Sequence, residues 1–268
     1  MNSIKFLILF LLFFYLSYNC FLYFIQDKIL FYPVPYNERE IRTIEKTYPF
    51  TFKTFYINEK KITYWESNNH NTRHVVFYFG GNAENTNYTL MEISSFNRAL
   101  EFRWILLNYP GYNGSSGTPS ESSFFEYAEL LYHHIVQNHN YEKISFMGRS
   151  IGSGVASYLA SKVKASKLIL ITPFDSVENL AKKYYPFTLS QLVKHKFLSY
   201  KYIQNVSIPI LILAAENDEV VPLSSTKNLI QYISDQRKME FYILDDTTHN
   251  TISDHPEYWK FIYYFLIS

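Results

Sequence analysis

From Phe6 to Ile25 apolar residues follow one another almost without a break, interrupted by Ser17 and Asn19. About 20 such residues are enough to cross a hydrocarbon core as a helix. Lys5 precedes the run, and Gln26, Asp27 and Lys28 follow it. Tyr15, Tyr18 and Tyr23 suit the membrane–water interface. No face of the run is polar, which argues against an ordinary core helix. The expectation is a single-pass, N-terminal membrane anchor over residues 1–28. Its orientation stays open, because Lys5 on one side faces Lys28, Arg39 and Arg42 on the other. A cleaved signal peptide would need a small-x-small site near the end of the run, where none stands. A lipoprotein signal at Cys20 would need small residues where Tyr18 and Asn19 stand.

Beyond the anchor the spacing changes. The segment Phe31-Tyr32-Pro33-Val34-Pro35 cannot be regular helix and reads as a stiff connector. Short apolar runs then alternate with helical patterns. Phe50 to Ile57 and Lys61 to Trp65 predict two antiparallel strands. His74 to Phe79, Trp104 to Asn108, Ile144 to Met147, Leu168 to Ile171, Ile210 to Ala214 and Phe241 to Leu244 predict further strands, most of them buried on both sides. Helices are predicted over Thr86 to Arg98, Glu121 to Asn138, Gly152 to Val163, Ser224 to Ile233 and Pro256 to Ile267. This alternation argues for an α/β domain over 29–268, with a mostly parallel sheet and helices on both faces. The stretch 175–204 is aromatic and Lys-rich and fits no strand-helix unit. It is expected to be a small cap inserted over the sheet.

Composition narrows the function more than the fold. The 268 residues are ample for one core, and a net charge of +1 gives no electrostatic reason to expect nucleic acid. Aromatic residues make up 19% of the chain, much of it compatible with general compositional drift. The one cysteine, Cys20, excludes an intrachain disulfide and a cysteine-based metal site. No nucleotide-binding loop or metal pattern is present, so no cofactor and no metal are expected.

Glycine placement points to the chemistry. The eight glycines fall into three clusters: Gly80-Gly81, then Gly111, Gly114 and Gly117, then Gly148, Gly152 and Gly154. Each cluster follows a predicted buried strand, so together they outline the carboxyl rim of the sheet, where open α/β sheets bind ligands. The third cluster is Gly148-Arg149-Ser150-Ile151-Gly152, a G-x-S-x-G between a strand and a helix. That context is the one a nucleophile elbow requires, and it makes Ser150 the candidate nucleophile. A plain turn before a helix is the bland alternative.

A serine hydroxyl needs a base to take its proton. Among the eight histidines only His195, His249 and His255 follow Ser150. His195 lies in the expected cap and His255 opens the final helix. His249, in the polar loop after the last strand, is the expected base. The acid should follow the strand Ile210 to Ala214, where Glu216, Asp218 and Glu219 stand. Asp218 is the leading choice, with Glu216 the alternative and a turn aspartate the bland reading. Two backbone N–H donors are needed to hold an oxyanion. Ile151, after the nucleophile, and Asn82, in the Gly80-Gly81-Asn82-Ala83 turn, are the candidates.

These residues together resemble a known family. Gly81-Asn82-Ala83 is similar to its His-Gly-Asn-Ala-Gly loop, and 108–121 to its Asp-Tyr-Arg-Gly-Tyr-Gly-x-Ser-x-Gly-x-Pro-Ser-Glu segment. Gly148 to Gly152 resembles its Gly-Arg-Ser-Leu-Gly elbow, Asn217 to Pro222 its acid loop, and His249-Asn250 its His-Asn end. The family is the small, N-terminally membrane-anchored α/β hydrolases, often grouped with serine aminopeptidase-like hydrolases. The resemblance runs from about Phe31 to the C-terminus. It implies the α/β-hydrolase fold and hydrolysis of acyl esters or thioesters, and some relatives remove palmitoyl groups from proteins. The expected partners are therefore an acyl substrate, including lipid-linked ones, and the membrane. Two positions depart from the pattern: Gly80 replaces the family histidine and Glu84 the family glycine, both beside the oxyanion turn. A serine peptidase using the same residues and a silent membrane-tethered binding protein are the competing functions. A chain starting near Asp27 is expected to keep activity on short soluble esters.

Overall fold

The structure is a computed structural model that describes residues 2–137 and 139–268. Met1, at the start of the expected anchor, and Asn138, at the end of the helix expected from Glu121, lie outside the described residues. The first element, α1 (Asn2–Leu30), runs unbroken for 29 residues, about 43 Å at helical rise. The boundary expected at residue 28 therefore falls inside the helix. Its stretch Ser3–Leu30 is long and apolar enough to cross a membrane, and most of its residues are exposed.

A helix that the sequence reading did not predict follows: α2 (Glu38–Thr47), whose Asn37 cap accepts the Glu40 N–H at 3.3 Å. Only Ile41 and Ile44 are buried in it. Two apolar positions in ten are too weak a stripe to read as a helix. Then come β1 (Phe50–Ile57) and β2 (Lys60–Ser67), an antiparallel hairpin closed by Asn58 and Glu59, both at positive φ. Such a turn matches the right-handed twist of its strands. The chain continues through β3 (His74–Phe79), α3 (Thr86–Ser95), β4 (Arg103–Leu107), α4 (Glu121–Gln137), β5 (Lys143–Arg149), α5 (Ile151–Lys162) and β6 (Lys167–Ile171). The cap carries α6 (Val177–Tyr184) and α7 (Ser199–Ile203). After it stand β7 (Ile210–Ala215), α8 (Leu223–Ile230), β8 (Met239–Leu244) and α9 (Tyr258–Ile267).

Among the described residues eight strands form one sheet in the order β1-β2-β4-β3-β5-β6-β7-β8. From β4 to β8 all neighbours are parallel, while β1 and β2 are antiparallel additions. Side chains alternate across the sheet. Val75, Phe77 and Phe79 of β3 join one core with Phe124, Leu131, Val155 and Leu159 of α4 and α5. Val76 and Tyr78 join a second core with Leu90, Ile93, Ile262 and Phe265 of α3 and α9. Burial on both faces explains why these strands read as continuous apolar runs. From β3 the chain steps to β4 on one side, and β5 then pairs on the other. The crevice of this topological switch lies between the carboxyl ends of β3 and β5, where the Gly80 turn and Ser150 stand.

Candidate active site

Ser150 sits between β5 and α5 with φ +52° and ψ −120°. A non-glycine residue takes such a conformation only under constraint from its surroundings. Here the constraint is close packing. A β-carbon on Gly148 would run into the backbone of Gly152, and one on Gly152 into the carbonyls of Phe79 and Gly80. The Ser150 N–H is held by the carbonyl of Ile171 at 2.9 Å. The strand, the tight turn and the helix expected from G-x-S-x-G are all present.

His249 Nδ1 lies 2.8 and 3.0 Å from the two carboxylate oxygens of Asp218. The pair is buried, with side chains 8% and 2% exposed. Asp218 Oδ1 also accepts the N–H groups of Val220 and Val221, at 2.9 and 2.6 Å. The turn role and the histidine-holding role thus belong to one carboxylate. With a carboxylate on Nδ1, a neutral imidazole keeps its lone pair on Nε2. Of the other candidates, Glu219 accepts from His249 only its backbone N–H, at 3.4 Å, and the rest stand elsewhere. Glu216 is exposed and accepts the N–H of Asp246 at 3.1 Å. His255 Nε2 is 2.9 Å from Asp245. His195 lies between Asp27 and the Glu121 N–H, at 3.0 and 3.2 Å. Among the described residues no hydrogen bond joins Ser150 to His249.

The turn after β3 is built by a residue that sequence comparison marks as a departure. Glu84 accepts the Gly81 N–H at 2.7 Å, the Tyr78 hydroxyl at 2.6 Å and the Thr89 hydroxyl at 2.6 Å. Burial, with Glu84 alongside, pushes the Tyr78 hydroxyl well above its ordinary range, so it remains a donor. Gly80 accepts from the Tyr109 hydroxyl at 3.1 Å. The Asn82 side chain accepts from the N–H of Ala83 at 2.9 Å, the N–H of Tyr32 at 3.0 Å and the Tyr112 hydroxyl at 3.2 Å. In the sequence Arg149 is only a letter of the elbow. Its Nη2 donates to the carbonyl of His249 at 3.1 Å, and its Nη1 stands 3.8 Å from Glu84. It therefore joins the loop carrying His249 to the turn carrying Asn82. An arginine inside G-x-S-x-G and a glutamate three residues after Gly81 were the signals available.

Asn82, Ser150 and Ile151 form the floor of a cavity of about 580 Å³ whose walls are mostly apolar. Val177, Leu180 and Tyr184 of the cap cover it from one side. A family profile described as the alpha/beta hydrolase fold matches residues 74–199, which span β3, the Gly80 turn and the Ser150 elbow.

The chain is an α/β-hydrolase-fold protein.

This α/β hydrolase-fold chain is similar to an uncharacterised membrane protein of Saccharomyces cerevisiae, 27% identical over 221 residues, covering 77% of this chain and 75% of that one. It is 27% identical over 203 residues to the lysophosphatidylserine lipase ABHD12 of Danio rerio, covering 67% of this chain and 52% of the relative. Among solved structures, an esterase of Pyrococcus furiosus superposes with a TM-score of 0.69 at 13% identity, covering 88% of this chain and 98% of that one. At that identity the likeness is one of fold.

Proposed function

We propose that this protein is a membrane-tethered serine hydrolase that cleaves carboxylic esters or thioesters through an acyl-enzyme on Ser150. The observation that carries the reading is the buried Asp218–His249 pair at 2.8 Å, in a fold that also holds Ser150 in a constrained elbow. His249 Nε2 takes the proton as Ser150 Oγ bonds to the acyl carbon. The carbonyl oxygen becomes an oxyanion held by the N–H groups of Asn82 and Ile151. The intermediate collapses, and His249 returns the proton to the departing alcohol or thiol. Water repeats the sequence, freeing the acid and restoring Ser150. Asp218 orients the imidazole and stabilises its charged form. A cavity with mainly apolar walls favours an acyl chain over a peptide. The lipase among the relatives supports the same class of chemistry. The apolar α1 and the membrane protein among the relatives support a membrane location.

A fluorophosphonate probe tests this reading. It should label the wild-type protein and leave Ser150→Ala unlabelled, with both proteins folded. Asp218→Asn should lower turnover about 10⁴-fold by analogy with other triads, while Glu216→Gln should change it little. Equal labelling of Ser150→Ala would remove Ser150 as nucleophile. Hydrolysis of aminoacyl amides in preference to acyl esters and thioesters would replace the esterase reading by a peptidase.

A further inference from the structure

The membrane helix does not stand clear of the hydrolase domain. Its covered positions recur at helical spacing, with Asn19, Leu22, Gln26, Ile29 and Leu30 on one face. Phe21 and Phe24, on the opposite side, are 60% and 70% exposed. Asn19 and Gln26 are the two amides of that covered face, two turns apart, and each both donates to and accepts from the cap. Asn19 donates to the carbonyl of Phe187 at 3.2 Å and accepts the N–H of Leu189 at 2.8 Å. Gln26 donates to the carbonyl of Leu192 at 3.0 Å and accepts the N–H of Lys194 at 2.8 Å. Below them Asp27 meets both Lys194 and His195 at 3.0 Å. Paired amides fix the rotation and height of α1 against the cap, where apolar contact alone would let it slide.

This fixed helix lines the cavity above Ser150 with Asn19, Leu22, Tyr23, Gln26, Ile29 and Leu30. From Asn19 to Leu30 the wall is about 16 Å long. Its height in a bilayer follows from the length of the apolar run. The run starts at Phe6, so residues 6–18 of it precede the first clamp, and a hydrocarbon core takes about 20. The boundary of the core thus falls beyond Asn19, so the cap tip that grips Asn19 reaches hydrocarbon. That tip presents Phe187, 79% exposed and held at φ +70°, a conformation a phenylalanine adopts only under constraint. Lys182 and Lys183 stand on the last turn of α6, and long cationic side chains of this kind suit the headgroup level.

We infer that α1 is a working wall of the substrate pocket, and that the long acyl chain of a bilayer-embedded ester or thioester enters sideways between α1 and the cap. The inference rests on the hydrolase reading for what happens at Ser150, but the placement of the chain does not. The acyl chain leaves the hydrocarbon where Asn19 and Phe187 meet, follows α1 toward Ile29, and lays its carbonyl at Ser150. The anchor is then part of the binding site, and removal of residues before Asp27 takes away most of that wall.

The test uses the full chain in phosphatidylcholine vesicles. A palmitic acid analogue with a photoactivatable diazirine at its chain end should crosslink to the cap segment 177–193 in the Ser150→Ala protein. Leu22→Trp, which fills the helix side of the pocket, should reduce that cap labelling several-fold. Ile29→Trp provides a second reading if Leu22→Trp disturbs insertion. Phe21→Trp, on the outward face, should leave it at the starting level. In the Ser150 protein, Leu22→Trp should lower the ratio of kcat/KM on palmitoyl to butyryl thioesters at least about tenfold. Palmitoyl lysophospholipid and a palmitoyl-thioester peptide, offered in parallel, distinguish the two sources of the chain. Cap labelling and chain-length ratio both unmoved by Leu22→Trp and Ile29→Trp would overturn the inference. Cap labelling that responds to these variants in a protein that hydrolyses no ester or thioester would uphold the pocket and remove the hydrolase reading.

Discussion

Replacing Arg149 by methionine keeps the length of the side chain and removes its charge. In the native structure the Arg149 side chain is 15% exposed and Glu84, 3.8 Å away, 11%. Burial works against the guanidinium charge, but the Glu84 carboxylate beside it more than offsets this and raises the Arg149 pKa above its ordinary value. The methionine variant strands the Glu84 carboxylate away from its cation and leaves the carbonyls of His249 and Asn250 without this donor. Breaking a buried pair on one side costs about 3–5 kcal/mol. At 3.8 Å, with both groups partly wetted, about 3 kcal/mol is the better figure. For a domain of this size that is roughly a 6–12 °C drop in melting temperature. The loop bearing His249 also loses its tie to the turn bearing Asn82, and a misplacement near 1 Å costs about 10² in rate. Thermal melting in detergent and the rate of fluorophosphonate labelling measure the two effects separately. Glu84→Gln alone and combined with Arg149→Met completes a double-mutant cycle, with an expected coupling of about 0.5–3 kcal/mol. If Arg149→Met melts within about 2 °C of wild type and labels at the native rate, Arg149 does not hold the site together.

Three further outcomes are expected. Gly152→Ala forces a β-carbon into the backbone of Phe79 and Gly80, so the elbow should not form and expression should fail; Gly154→Ala meets only side chains at 3.2–3.4 Å and should melt close to wild type. Asn82→Ala removes an acceptor shared by Tyr32, Ala83 and Tyr112, so kcat/KM should fall by more than a residue acting only through its backbone would show, and Asn82→Pro, which loses the N–H, should cost about 3 kcal/mol or more of transition-state stabilisation. Burial holds the His74 imidazole at about 4, below the ordinary 6.5; the unfolded chain binds that proton first, so stability is full above pH 6.5 and falls as pH drops toward 4, by about 3 kcal/mol, and His74→Gln should flatten that slope in a pH series of melting curves.

The apolar runs of β3, β5, β6 and β7 were readable because each strand is buried on both faces, and that burial demands an unbroken run from the chain itself. The elbow was readable for a similar reason: close backbone approach at Gly148 and Gly152 excludes a side chain at each position. The order of Ser150, Asp218 and His249 followed from which loops lie at the carboxyl rim. The sequence already preferred Asp218 to Glu216, and the fold adds the contact that separates them: Asp218 meets His249, while Glu216 accepts from Asp246. Glu84 reads in the sequence as a departure beside the turn after β3, and the structure makes it the acceptor that shapes that turn. Asn19 read as an interruption in a membrane helix, and Asn19 and Gln26 prove to clamp the cap, more than 160 residues away along the chain. Sequence determined what one segment must do by itself: span, turn, alternate or stay free of side chains. Which polar group meets which across the chain was decided only by tertiary packing, because a buried amide or carboxylate needs a partner and its own neighbours in sequence do not say where that partner comes from.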